Sequence, residues 1–146
     1  MNSPQIVGLG GYPDDAMLDH ILGLARGRRL LYVPTAGAED PSTTLSWYSR
    51  LHGRADLAHL HLFPWPPDGL GFLSGSACPH YDGEERRRPV YQQLVRDGFP
   101  PGLALDDAAG AHYVGTGLHE IVASSPEARG YLVGPDGEHE LDARLL

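Results

Sequence analysis

The apolar positions of this chain come in short runs closed by glycine or proline. Gln5-Ile6-Val7-Gly8-Leu9 stops at Gly10-Gly11 and predicts a first strand. Met17, Leu18, Ile21, Leu22 and Ala25 then recur at helical spacing. Pro13 with Asp14 and Asp15 suits the start of that helix, and Gly27 its end. Residues 28–33 predict a second strand, stopped by Pro34. Strand, helix and strand in that order favour a right-handed βαβ unit with parallel strands. A second helix is predicted from about Pro41, with Leu45, Tyr48 and Leu51 on one side, and a third strand over residues 58–63. Pro64-Trp65-Pro66-Pro67-Asp68-Gly69 carries turn signals and no element.

The second half opens on residues 69–84, read as a short buried strand that runs into a turn stiffened by Pro79 and sets His80 at its end. Asp82 is placed to cap the next helix, with Val90, Tyr91, Leu94 and Val95 as its apolar positions, and Pro89 marks where the regular helix begins. The last third reads as β. Residues 103–105, 111–114 and 119–123 are separated by turn signals, and 131–133 and 138–141 flank the hairpin turn Gly134-Pro135-Asp136-Gly137. The pattern predicts an α/β fold: a mostly parallel sheet flanked by helices, with antiparallel C-terminal strands.

Composition narrows the function more than the fold. A length of 146 residues with 41% hydrophobic content suits one globular domain over residues 1–146. No apolar run approaches the ~20 residues that span a membrane. Met1-Asn2-Ser3-Pro4 lacks the basic start of a signal peptide, so a cytoplasmic location is expected. The net charge of −8 argues against nucleic-acid binding, which needs a basic face. All eleven basic residues are Arg, which removes Schiff-base and Ser-Lys chemistry. Cys78 is alone, so no intrachain disulfide forms.

Several residues are candidates for chemistry. His80 at a strand end reads either as a residue aimed into a crevice or as a ring hydrogen-bonded locally. Gly75-Ser76-Ala77 superficially resembles a nucleophile turn, but on an extended strand positions i and i+4 stand ~13 Å apart, too far for Ser76 to serve His80. Ser74 and Ser76 therefore read as packing and turn residues. His59 with His61, and Cys78 with His80, each sit at i, i+2; adjacent strands could gather them around zinc, but without a closing motif local turn and surface roles are the better reading. Gly8-Leu9-Gly10-Gly11 lacks the third glycine of a dinucleotide fingerprint and reads as a tight turn. Arg86-Arg87-Arg88 is a local basic patch.

The run Leu70 to Pro89, above all Cys78-Pro79-His80-Tyr81-Asp82-Gly83-Glu84 with Arg86, resembles the histidine-bearing segment of peptidase E, a family of serine dipeptidases that remove Asp from Asp-Xaa dipeptides. Gly8-Leu9-Gly10-Gly11, Val33-Pro34-Thr35-Ala36 and Gly102-Leu103-Ala104-Leu105-Asp106-Asp107 fit the same resemblance. It implies a three-layer fold of the class I glutamine amidotransferase type, with His80 as the catalytic base. Arg86 would recognise the acidic side chain of the substrate, by the match of guanidinium to carboxylate.

Between Phe63 and Gly69 the family would place a whole middle segment, with a Gly-Gly-Gly-Asn-Thr oxyanion turn, a Gly-X-Ser-Ala-Gly nucleophile elbow and an acidic partner for the histidine. This chain has only Pro64 to Asp68 there, and no Gly-X-Ser-X-Gly anywhere. A serine hydroxyl needs a positioned base and an oxyanion cradle to attack. The expectation is an inactive peptidase E-like protein, without cofactor or metal, that binds a small acidic peptide or amino acid. The alternative is a working hydrolase, its site completed across a dimer or by a metal at the His and Cys residues. The internal deletion exposes strand edges, so a two-fold homodimer is expected.

Overall fold

The computed structural model describes residues 3–60, 62 and 71–146. In chain order the elements are β1 (Gln5–Leu9), α1 (Asp15–Leu24), β2 (Arg29–Tyr32), a 3-10 turn (Pro34–Gly37), α2 (Pro41–Leu51) and β3 (Asp56–His59). There follow β4 (Ser76–Cys78), α3 (Arg87–Arg96), β5 (Gly102–Leu105), β6 (Ala109–Val114), β7 (Gly117–Ala123), β8 (Gly130–Gly134), β9 (Gly137–Leu141) and β10 (Ala143–Leu145). Contacts divide the chain into two compact units: Met1–Ile21 with Phe72–Leu146, and Leu22–Gly71. No described helix is long and apolar enough to cross a membrane.

The smaller unit pairs β2 with β3 in parallel, from Arg29 opposite Asp56 to Tyr32 opposite His59. Pro41 opens α2 where its missing N–H costs nothing, and Asp40 caps it by accepting from the Thr43 N–H at 2.8 Å. The helix buries Trp47, which stacks on Tyr32 with ring centroids 4.5 Å apart. The sequence-predicted third strand over 58–63 is displaced towards the N-terminus, and residues 61 and 63 lie outside the described set.

The larger unit holds two four-stranded sheets, ordered β1-β6-β7-β10 and β4-β5-β8-β9. Alternation along β5 divides its side chains between two cores. Leu103 and Leu105 join Ala109, Ala111, Ile121, Ala123 and Ala128 between the sheets. Ala104 turns the other way, to Tyr91 and Val95 of α3 with Cys78, Tyr81, Tyr131 and Val133. On the far face of the first sheet, Met17 of α1 packs where Gly110 leaves room: a Cβ there would stand 3.1 Å from the Met17 sulfur. The layers thus run α1, sheet, sheet, α3.

This corrects the expected mostly parallel sheet. Among the described ladders β2–β3, β4–β5 and β7–β10 are parallel, while β1–β6, β6–β7, β5–β8 and β8–β9 are antiparallel. The expected β1–β2 pairing is not among the described ladders: β1 pairs with β6 and β2 with β3. Loop length is the physical reason. Val114 faces Gly117 and Gly134 faces Gly137, so two residues join the strands on each side. Such turns permit only antiparallel hairpins, whereas a parallel pair needs a crossover of a dozen residues or more.

Candidate active site

Because β4 and β5 are parallel neighbours, with Ser76 opposite Gly102 and Cys78 opposite Ala104, the chain leaves both at the same edge of the sheet. His80 stands two residues past β4 and Asp107 two past β5. Their side chains meet, His80 Nδ1 to Asp107 Oδ1 at 2.6 Å. A carboxylate can only accept, so Nδ1 carries the proton and neutral His80 keeps its lone pair on Nε2. No described residue bonds that nitrogen. The two side chains are 43% and 49% exposed, so the pair faces solvent.

The backbone around the pair is closely fixed. His80 takes the left-handed conformation, with φ of 53°. Its N–H donates to Gly10 O at 2.6 Å, and the Tyr81 N–H donates to Leu105 O at 3.0 Å. Asp82 caps no helix; its carboxylate accepts the Asp107 N–H at 2.7 Å, and α3 begins at Arg87. Two glycines wall the carboxylate. A Cβ on Gly11 would lie 2.3 Å from Asp107 Oδ1 and 3.3 Å from His80 Cε1, and one on Gly83 would lie 2.3 Å from Asp107 Oδ2. Close approach of neighbouring chain accounts for the glycines after β1.

The sequence expectation left His80 without an acidic partner. The structure supplies one, Asp107, from outside the missing segment. Sequence reasoning missed it because the pair is separated by 27 positions and only the β4–β5 pairing joins them. The one local signal is Asp106-Asp107 after an apolar strand. These neighbours face opposite ways. Asp106 is buried, accepts the Arg129 N–H at 2.9 Å, and has its carboxyl pushed up by that burial.

The other candidates resolve separately. Ser76 is occupied: its hydroxyl lies 2.6 Å from both the Tyr91 hydroxyl and Pro100 O. Arg86 is exposed at the N-cap of α3, and no described side-chain partner holds it. Glu84 pairs instead with Arg87. Arg88 pairs with Glu138 and covers the rings of Tyr81 and Tyr131, at 5.2 and 4.7 Å from their centroids. Of the possible zinc ligands, His59 meets the Tyr48 hydroxyl at 2.8 Å within the smaller unit, and His61 lies outside the described residues. Cys78 is buried, which pushes its thiol up and away from the reactive thiolate.

Comparison with known proteins finds a partial similarity to a peptidase. Over 73 residues, 49% of this chain, it is 48% identical to the uncharacterized peptidase YgaJ of Bacillus subtilis (strain 168). That stretch spans 31% of the relative's length, so the chain matches less than a third of it. No family model and no solved structure matches.

Proposed function

We propose that this chain is a peptidase E-like module that keeps the base and acid of a serine-peptidase site, binds small acidic peptides or amino acids, and does not cleave them unaided. The observation that carries this reading is the His80–Asp107 pair at 2.6 Å, half exposed, in a chain that contains no Gly-X-Ser-X-Gly. A histidine oriented through Nδ1 by a carboxylate is the proton acceptor of acyl-transfer chemistry. Without a held hydroxyl and an oxyanion cradle it has nothing to activate, and each lost cradle donor alone costs ~2.7–4 kcal/mol of transition-state stabilisation. Arg86 supplies a free guanidinium for an acidic ligand.

The test is hydrolysis of aspartyl p-nitroanilide by pure protein. No turnover above buffer is expected, while an Asp-Xaa dipeptide shifts the His80 ring signals in NMR and Arg86→Gln weakens that binding about tenfold. Turnover that disappears in His80→Ala overturns the reading. If its rate rises with the square of protein concentration, the site is completed by a second copy, which is the competing reading favoured by the intact pair.

A further inference from the structure

On the face of the β1-β6-β7-β10 sheet that carries α1, three side chains converge away from His80. His112 and Glu120 are direct cross-strand partners on β6 and β7, and His20 comes from α1. Each offers one ligand atom, and the three atoms lie within 4.8 Å of one another. We propose that His20, His112 and Glu120 hold a divalent transition-metal ion of the zinc class, with the Arg144 guanidinium as the competing cation at Glu120.

The arrangement around His112 carries the inference. The Gln5 amide nitrogen donates to Ser3 O at 3.1 Å, which turns its oxygen towards His112 Nε2 at 2.6 Å. An amide oxygen only accepts, so Nε2 bears the proton. The Nδ1 edge of His112 then faces Glu120, 3.4 Å from its Oε1. An outer nitrogen held by a carbonyl, with the inner one turned to the other ligands, is how proteins orient a metal-ligating histidine.

Distance and burial point the same way. Bonds of ~2.1 Å to a tetrahedral ion put its ligands ~3.4 Å apart, the separation His112 and Glu120 already have. His112 is only 4% exposed. The third atom is unclaimed: His20 Nε2 is buried and has no hydrogen-bond partner. Two imidazoles and one carboxylate suit zinc and its neighbours and not magnesium or calcium, which want oxygen ligands throughout. Three protein ligands leave a fourth position for water. Arg144 bonds both Glu120 oxygens, at 2.8 and 3.0 Å, but its side chain is half exposed on β10 and free to withdraw to water.

This site shares no residue with the His80–Asp107 pair and does not depend on the function proposed for it. The experiment is calorimetric titration of chelator-treated protein with zinc, with bound metal counted by elemental analysis. One equivalent is expected, weakened at least tenfold by His20→Ala and by His112→Gln and strengthened several-fold by Arg144→Gln. Cobalt loaded in place of zinc should show d–d bands without thiolate charge transfer, unchanged in Cys78→Ser. The absence of saturable binding, an affinity unmoved by His20→Ala, or a thiolate band would overturn the site. Should His112→Gln fail to fold, His20→Ala and Arg144→Gln, at partly exposed positions, still decide the question.

Discussion

At the scale of single residues, the glycines around the histidine separate two kinds of crowding. A Cβ on Gly10 would come within 2.0 Å of the Asp106 carbonyl oxygen, which is backbone and cannot turn aside. A Cβ on Gly83 meets only the Asp107 carboxylate, at 2.3 Å, the movable end of a side chain. Gly10→Ala is therefore expected to destabilise by about 2 kcal/mol or more, measured by urea unfolding. Gly83→Ala should cost less than about 1 kcal/mol yet swing Asp107 off His80. Its readout is the downfield Nδ1 proton resonance of His80, present in the parent and lost in the variant. A retained signal with unchanged shift would show that the carboxylate does not need the space Gly83 leaves. The position of His80 just past a strand end was legible in the sequence because its turn carries a dense local pattern. Asp107 and the walls at Gly11 and Gly83 were not, since their roles arise from chain crossings distant in sequence.

At the scale of elements, the cap of α2 gives a pH signature. Asp40 accepts from the Ser42 hydroxyl, from the Thr43 N–H at 2.8 Å and from the Thr43 hydroxyl at 2.9 Å. These bonds, that of Ser42 foremost, hold its carboxyl down at about 2 from an ordinary 3.8. A depressed value favours the folded helix fully above the unfolded value and loses that support as pH falls through the folded one. Protection of the Thr43 and Thr44 amides from hydrogen exchange should thus drop between about pH 4 and pH 2. Asp40→Asn keeps a cap and loses the pH dependence. Asp40→Ala lowers protection at every pH, and an Asp40→Ala profile that still followed the parent's would refute the assignment. The start of this helix was legible from Pro41, but its buried face was not: Thr44, Trp47 and Leu51 turn inward, while Leu45 and Tyr48 of the expected apolar side are exposed; most strands of the last third were legible from their turn residues. Pairing was not. Apolar alternation tells a strand from a helix but not its neighbour, and β10, only Ala143–Leu145, is too short to show a period.

At the scale of the larger unit, one strand serving two cores makes a testable statement about cooperativity. The intersheet cluster and the α3 cluster share no side chain, although Leu103, Ala104 and Leu105 of β5 supply both. Ile121 is 3% exposed in the first cluster and Val133 2% exposed in the second. Ile121→Ala should cost about 2–4 kcal/mol, and Val133→Ala about 1–3 kcal/mol, from lost burial and the cavity each leaves. Truncations with no common partner add to within ~0.5 kcal/mol, whereas truncations lining one cavity do not. The double variant should therefore lose the sum of the two single costs, read from denaturant midpoints at a constant slope so that the unfolded reference is unchanged. A double variant clearly more stable than that sum would mean that β5 relaxes between the cores, shifting to fill one cavity at the expense of the other. Since β5 also carries Asp107 at its end, the same shift would move the carboxylate against His80, and the Nδ1 resonance would report it in the single variants first.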